Sequence, residues 1–374
     1  MITKDRIFGL DFIRAFATIL VIASHGALLF PGYNNLVTDA LQLLGVFGVE
    51  MFYVLSGFLI GGILLKLLDK NSLTIHTVKY FWVRRWFRTL PLYFLILLIN
   101  IVKSIIFSEA LPGQLWKYFF FLQNFNHKQS YFFPESWSLT VEEFSYVFAP
   151  LLILVLIKLV RDRAKAFLLA SIFAIVFFIG VKLSYYFSNV HNYEDLIIWN
   201  ASLKGVVVYR LDSIFYGFLM AYLFNKHIRI FKRYKMYMLL FGMVLFFLIY
   251  GIMIVTKFQI TGVKFFWNVL YLPLNSIAIA SCLPFIYYLS KPNVMLKNLI
   301  QNISMYSYSI YLIHYSLILS FMVKYLPLNS FSIIQKWALL LLYTILSYLL
   351  SSYMYKYFEK PMMDLRDKPI FKKP

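Results

Sequence analysis

Residues 14–25 read RAFATILVIASH. Ten apolar or small residues stand between an arginine and a histidine, and the apolar run continues to Phe30. Counted from Ile7 to Phe30, the stretch is long enough to cross a hydrocarbon layer of about 30 Å as a helix. It is too long to be a removable leader, and no small-x-small cleavage site follows it. On a helix Arg14 and His25 face almost the same way, about 16 Å apart along the axis. An ionisable group in hydrocarbon costs about 2.5 to 3.5 kcal/mol on insertion scales, so each such residue is a candidate site residue with a partner to be found.

The rest of the chain repeats the pattern. Of 374 residues 61% are hydrophobic, 20% aromatic and only 14% charged, outside the range of a soluble globular domain. Ten candidate spans recur, at about 7–30, 45–65, 89–107, 137–157, 166–187, 205–224, 236–256, 265–290, 300–323 and 337–355. This predicts an all-α polytopic membrane protein, a bundle of about ten transmembrane helices with short interfacial helices, formed by one domain over 1–374. With the N-terminus inside, the inner segments hold 25 of the 36 Lys and Arg and the outer segments hold 7. That asymmetry predicts cytoplasmic termini in the cell membrane. It also explains the net charge of +20 by topology, which leaves no reason to expect nucleic acid as a partner. The single cysteine, Cys282, rules out an intrachain disulfide and is expected to be a packing thiol. No internal repeat is visible. Two aromatic segments read as interfacial: 79–93, which carries Arg84, Arg85 and Arg88 into the third span, and the stretch before Trp137.

Depth along the spans groups the candidates. Asp11 lies one turn before Arg14 and is expected to pair with it. Glu50, Glu142, Glu143, Arg210 and Asp212 all fall about five to seven residues inside the outer ends of their spans, level with His25. Of the adjacent acids Glu142 and Glu143, which point about 100° apart, one is expected to face the cavity and the other to make a packing or interfacial hydrogen bond. Glu50 and Arg210 could equally form a pair that neutralises both, and His314 could be a hydrogen-bonded core histidine or a catalyst. A general base needs an orienting group, and His25 level with carboxylates meets that need. There is no P-loop, no G-x-S-x-G elbow, and no spacing suited to zinc, so no metal is expected. His76, His127, His191 and His227 fall in or near loops and read as solvated. The triplet Asn302-Ile303-Ser304 fits a glycosylation acceptor only by chance, lying at the inner end of a span.

Several motifs run in order. They are LDFIRAFATILVIASH (10–25), GVFGVEMFYVLSGFLI (45–60), FWVRRWFRTLPLY (81–93), WSLTVEEFSY (137–146), YRLDSIFYGFLMA, SYSIYLIH and YKYFEKP (355–361). Together the chain resembles the integral-membrane acyltransferase 3 family. Two positions depart from its pattern: Glu50 stands where Asp is common, and Ser316 where a proline usually follows the histidine. The family's occasional fused SGNH domain is absent, so a separate SGNH-type or glycan-assembly protein would supply any second step.

The resemblance implies an O-acyltransferase that moves an acyl group, most simply acetyl, from cytoplasmic acyl-CoA to a hydroxyl of a cell-surface carbohydrate or glycolipid. It implies His25 as general base, Glu142 orienting it, Arg14 guiding the thioester, and Arg84, Arg85 and Arg88 holding the phosphates of CoA. Asp11, Glu50, Glu143, Arg210, Asp212 and His314 would support them. Two rivals use the same residues: a glycan transporter or exporter, and an acyltransferase with a small cytoplasmic acceptor.

Overall fold

The computed structural model describes residues 6–32, 36–70, 72–188, 196–257 and 259–367, and no side chain at 36–38; His191 lies outside the described residues. Helices α1 (Phe8–Gly26), α2 (Leu36–Asp69), α3 (Ile75–Ile106), α4 (Ser136–Leu159) and α5 (Arg163–Phe187) build the first half. The second half comprises α6 (Asp212–Lys226), α7 (Ile228–Val255), α8 (Phe266–Tyr287), α9 (Val294–Tyr325) and α10 (Ile333–Arg366). Nine of these, all but α6, are long and apolar enough to cross a membrane among the described residues. The protein is a multi-pass, all-helical membrane protein. Below, the proximal end of the bundle is where α1 starts and the distal end is where it finishes.

Local chemistry sets the helix starts. Thr74 and Thr77 form a reciprocal cap, so α3 begins at Ile75 and runs unbroken past Pro91 to Ile106. The arginine-rich segment and the third span are therefore one helix. Helix α2 also begins early, at Leu36 rather than near 45. Glu50 consequently lies near the middle of a long helix, not five residues from its end, which corrects the depth expected for it.

The expected span 205–224 is the larger correction. Only Asp212–Lys226 is helical in the regular sense, 15 residues or roughly 22 Å, shorter than a hydrocarbon layer. Before it the chain makes a widened turn at Asn200–Lys204 and a tight one at Val207–Tyr209. The reason is a competing set of backbone partners. Val207 and Val208 donate to the carbonyls of Asn124 and Phe125 at 3.0 and 3.2 Å, and Asn124 Nδ2 donates to the Gly205 carbonyl at 2.6 Å. Irregular backbone at this depth is tolerated because protein supplies its hydrogen bonds.

Helix α6 is held in the centre, packed on α2, α5 and α8. A Cβ on Gly57 would lie 2.0 Å from the Ile214 carbonyl oxygen, and one on Gly217 would lie 2.1 Å from that of Val54. Those two glycines let α2 and α6 touch backbone to backbone. Beside this contact lie two fully buried ion pairs, Arg210 with Glu50 and Lys182 with Asp212, the latter at 2.6 Å. Ser276 adds a 2.8 Å hydrogen bond to the second oxygen of Glu50. These four charges are matched with one another, as burial requires. Cys282 is half-buried and free, packed where a Cβ on Gly242 would meet its sulfur.

Candidate active site

Four cavities follow one another through the bundle, each sharing wall residues with the next. The most proximal, of about 400 Å³, is lined by Arg84, Arg85 and Arg88 of α3 and by Arg366 at the end of α10. Spacing on one helix explains the first three, because residues three or four apart share a face. Tyr80 accepts from Arg84 at 3.0 Å, and Arg366 donates to the Arg84 carbonyl at 3.4 Å, so the last helix closes the cluster.

Arg85 and Arg88 also line the second cavity, of about 110 Å³, with Arg14, Ser56, Glu142 and Tyr308. Glu142 accepts from Ser56 at 3.0 Å and from Tyr146 at 2.7 Å, and Arg85 lies over the Tyr146 ring, 4.2 Å from its centre. Glu143 points elsewhere and accepts from Thr89 at 2.8 Å. The expected pair of Asp11 with Arg14 does not form. Asp11 binds Arg6 at 2.6 Å, while Ser304 donates to Asp11 and accepts from Arg14 at 3.4 Å. One turn back along the chain offers Asp11 a more exposed guanidinium, which leaves Arg14 directed to the cavity.

Val49 and Tyr311 line both the second cavity and the third. The Tyr311 oxygen is fixed by a 2.6 Å hydrogen bond from Ser138. Beyond this wall lies a chamber of about 310 Å³ that holds His25, Trp137, Glu135 and Lys204. Its volume falls at the lower end of small-ligand pockets. Ser130, Tyr131, Pro134 and Tyr315 then connect it to the distal cavity beside Lys103 and Glu109.

Within the chamber His25 Nδ1 lies 2.8 Å from His314 Nε2. Here the geometry dictates protons. His314 Nδ1 faces the carbonyl oxygens of Ile310 and Tyr311 at 3.0 and 2.7 Å, and a carbonyl can only accept. His314 Nδ1 therefore carries the proton, and in the neutral ring Nε2 is an acceptor. His25 Nδ1 must then donate, which leaves the lone pair of His25 Nε2 unprotonated. The chain runs from a fixed carbonyl, through His314, to the ring of His25. Glu142 takes no part in it: its two oxygens accept from Ser56 and Tyr146 on the other side of the Tyr311 wall, and the ring next to His25 is that of His314. Helix α9 widens at His314–Leu319, where His314 meets His25 of α1, a contact that depth along separate helices does not give.

A family model described as an acyltransferase domain matches residues 7–356. The chain belongs to this acyltransferase family. As a member of it, the chain is similar to the peptidoglycan O-acetyltransferase OatA of Listeria monocytogenes, 32% identical over 169 residues, 41% of this chain and 25% of that protein. YrhL of Bacillus subtilis, provisionally named a peptidoglycan O-acetyltransferase, is 33% identical over 172 residues, covering 42% of this chain and 25% of its own. The match thus spans about a quarter of the length of these curated relatives. No solved structure matches the chain.

In this family member the cavities also hold residues that sequence reasoning passed over. Arg366 lies far from the other arginines in sequence. Glu135 stands just before the Trp137 motif and is buried, with one oxygen accepting from the amide and hydroxyl of Ser316. The departure from proline at Ser316 was the available signal, because proline could donate neither bond. Lys204 immediately precedes a predicted span and was counted among loop charges. Glu50, Arg210 and Asp212 come together in the buried pairs and line none of the four cavities.

Proposed function

We propose that the protein is a membrane O-acetyltransferase that takes an acyl group from cytoplasmic acyl-CoA and delivers it to a hydroxyl of a cell-wall carbohydrate, with both termini in the cytoplasm. The observation that carries the reading is the 2.8 Å contact of His25 Nδ1 with the carbonyl-anchored His314, in a chamber whose wall at Val49 and Tyr311 is shared with an arginine-lined cavity. Family membership and the naming of similar proteins as peptidoglycan O-acetyltransferases support the reaction class. The proximal arginines fit a phosphorylated donor, since guanidinium forks bind phosphate oxygens bidentately. Arg84, Arg85, Arg88 and Arg366 would hold the nucleotide end, and Arg14 would meet the thioester end.

The chemistry then follows from positions. His25 Nε2 accepts the proton of the acceptor hydroxyl as its oxygen bonds to the acyl carbon at the Tyr311 wall. The carbon–sulfur bond breaks, and the thiolate leaves with the proton that His25 returns. While charged, His25 donates from Nδ1 to His314, whose own proton is anchored on backbone carbonyls, so the base keeps one tautomer and one orientation throughout. Glu142, with Tyr146, would set Arg85 rather than the base.

Reconstituted in liposomes with radiolabelled acetyl-CoA inside and wall glycan outside, the protein should label the glycan. His25→Ala should abolish transfer with an unchanged unfolding temperature. Full transfer by that variant refutes the mechanism.

A further inference from the structure

Among the described residues, the His25 chamber contains a lysine with no ion-pair partner. Lys204 ends the widened turn Asn200–Lys204 and lines the chamber, its Nζ 4.7 Å from the centre of the Trp137 ring. Its basic neighbours are matched, Arg210 by Glu50 and Lys182 by Asp212. Among the described residues no carboxylate lies within ion-pair reach of Lys204. Glu135 shares the chamber, but one of its oxygens is committed to Ser316, and Lys103 donates to the Ser316 carbonyl at 2.8 Å.

A half-buried ammonium in a chamber wall, beside a ring and with no carboxylate in ion-pair reach among the described residues, gains when a ligand brings the opposite charge. Trp137 and Tyr315 supply flat apolar walls, while Gln42, Gln129 and Asn200 supply amides of the kind that hydrogen-bond sugar hydroxyls. We propose that Lys204 is an anion subsite of the acceptor chamber, receiving an acidic substituent, carboxylate or phosphate, of the sugar whose hydroxyl meets His25. The acceptor is then an acidic glycan. A neutral sugar of the same size leaves the ammonium unpaired and is rejected for that reason.

This inference rests on the acceptor reading of the chamber, and its test separates the two. The full chain in liposomes is given envelope glycan from cells lacking the gene, in three forms: untreated, carboxyl-reduced with carbodiimide and borohydride, and dephosphorylated. The wild type should prefer untreated glycan over one treated form by at least ~10-fold in kcat/KM, the form that loses identifying carboxylate or phosphate. Lys204→Gln should narrow that preference below about 2-fold whatever its absolute rate, and Lys204→Arg should keep it. Equal use of all three forms by the wild type overturns the proposal, as does a preference that survives in Lys204→Gln. Transfer to none of the three overturns the acceptor reading and this inference with it.

Discussion

At the residue scale the site depends on which atom of two rings holds a proton. On the proposed mechanism His314 would differ from the usual orienting carboxylate in being neutral: it would fix the tautomer of His25 without offering a full negative charge to the imidazolium. His314→Ala should therefore lower the single-turnover rate by about 10² to 10⁴-fold, the range associated with a positioned base. The variant lacking both histidines should be no slower than His25→Ala alone, because residues acting as one unit are not additive. Additive losses would mean that the two act separately. Arg14 and His25 were legible from their spacing alone, since both belong to one helix and periodicity settles their common face. Their partners were not. Asp11 had two arginines in reach, and local spacing cannot weigh Arg6 against Ser304, which comes from α9.

At the element scale the architecture turns on α2 and α6. Gly57 and Gly217 bring the helices close enough for Arg210 and Glu50 to meet, so packing there also governs whether buried charges stay matched. Gly57→Ala should destabilise the protein by about 1 to 3 kcal/mol, as overpacking does, despite the better helix propensity of alanine. Thermal unfolding in detergent measures this, and an unchanged midpoint would show that the contact yields freely. Long apolar periods made nine helices readable from sequence. The tenth was misjudged in length, because its apolar composition hides that residues 205–208 hydrogen-bond to 124–125 and not along a helix axis. The widened turn at His314 was equally hidden, being a matter of which carbonyl each amide chooses.

At the scale of the whole molecule, charge asymmetry predicts an orientation. In a Cys282→Ala background, a cysteine at exposed His227 should resist a membrane-impermeant maleimide in intact cells, and one at exposed His127 should react. The reverse pattern would place the arginine cavity outside and remove cytoplasmic acyl-CoA as donor. Composition and basic loops sufficed for the membrane class, whereas the order of cavities needed the packed bundle, because each wall borrows residues from several helices. The shared wall of Val49 and Tyr311 has one more consequence. A water-filled path past it would let ions and protons run down the electrochemical gradient, and each elementary charge crossing 100 mV dissipates about 2.3 kcal/mol. On the proposed reading, chambers that meet across two side chains would let an acyl group change sides while the membrane stays electrically tight.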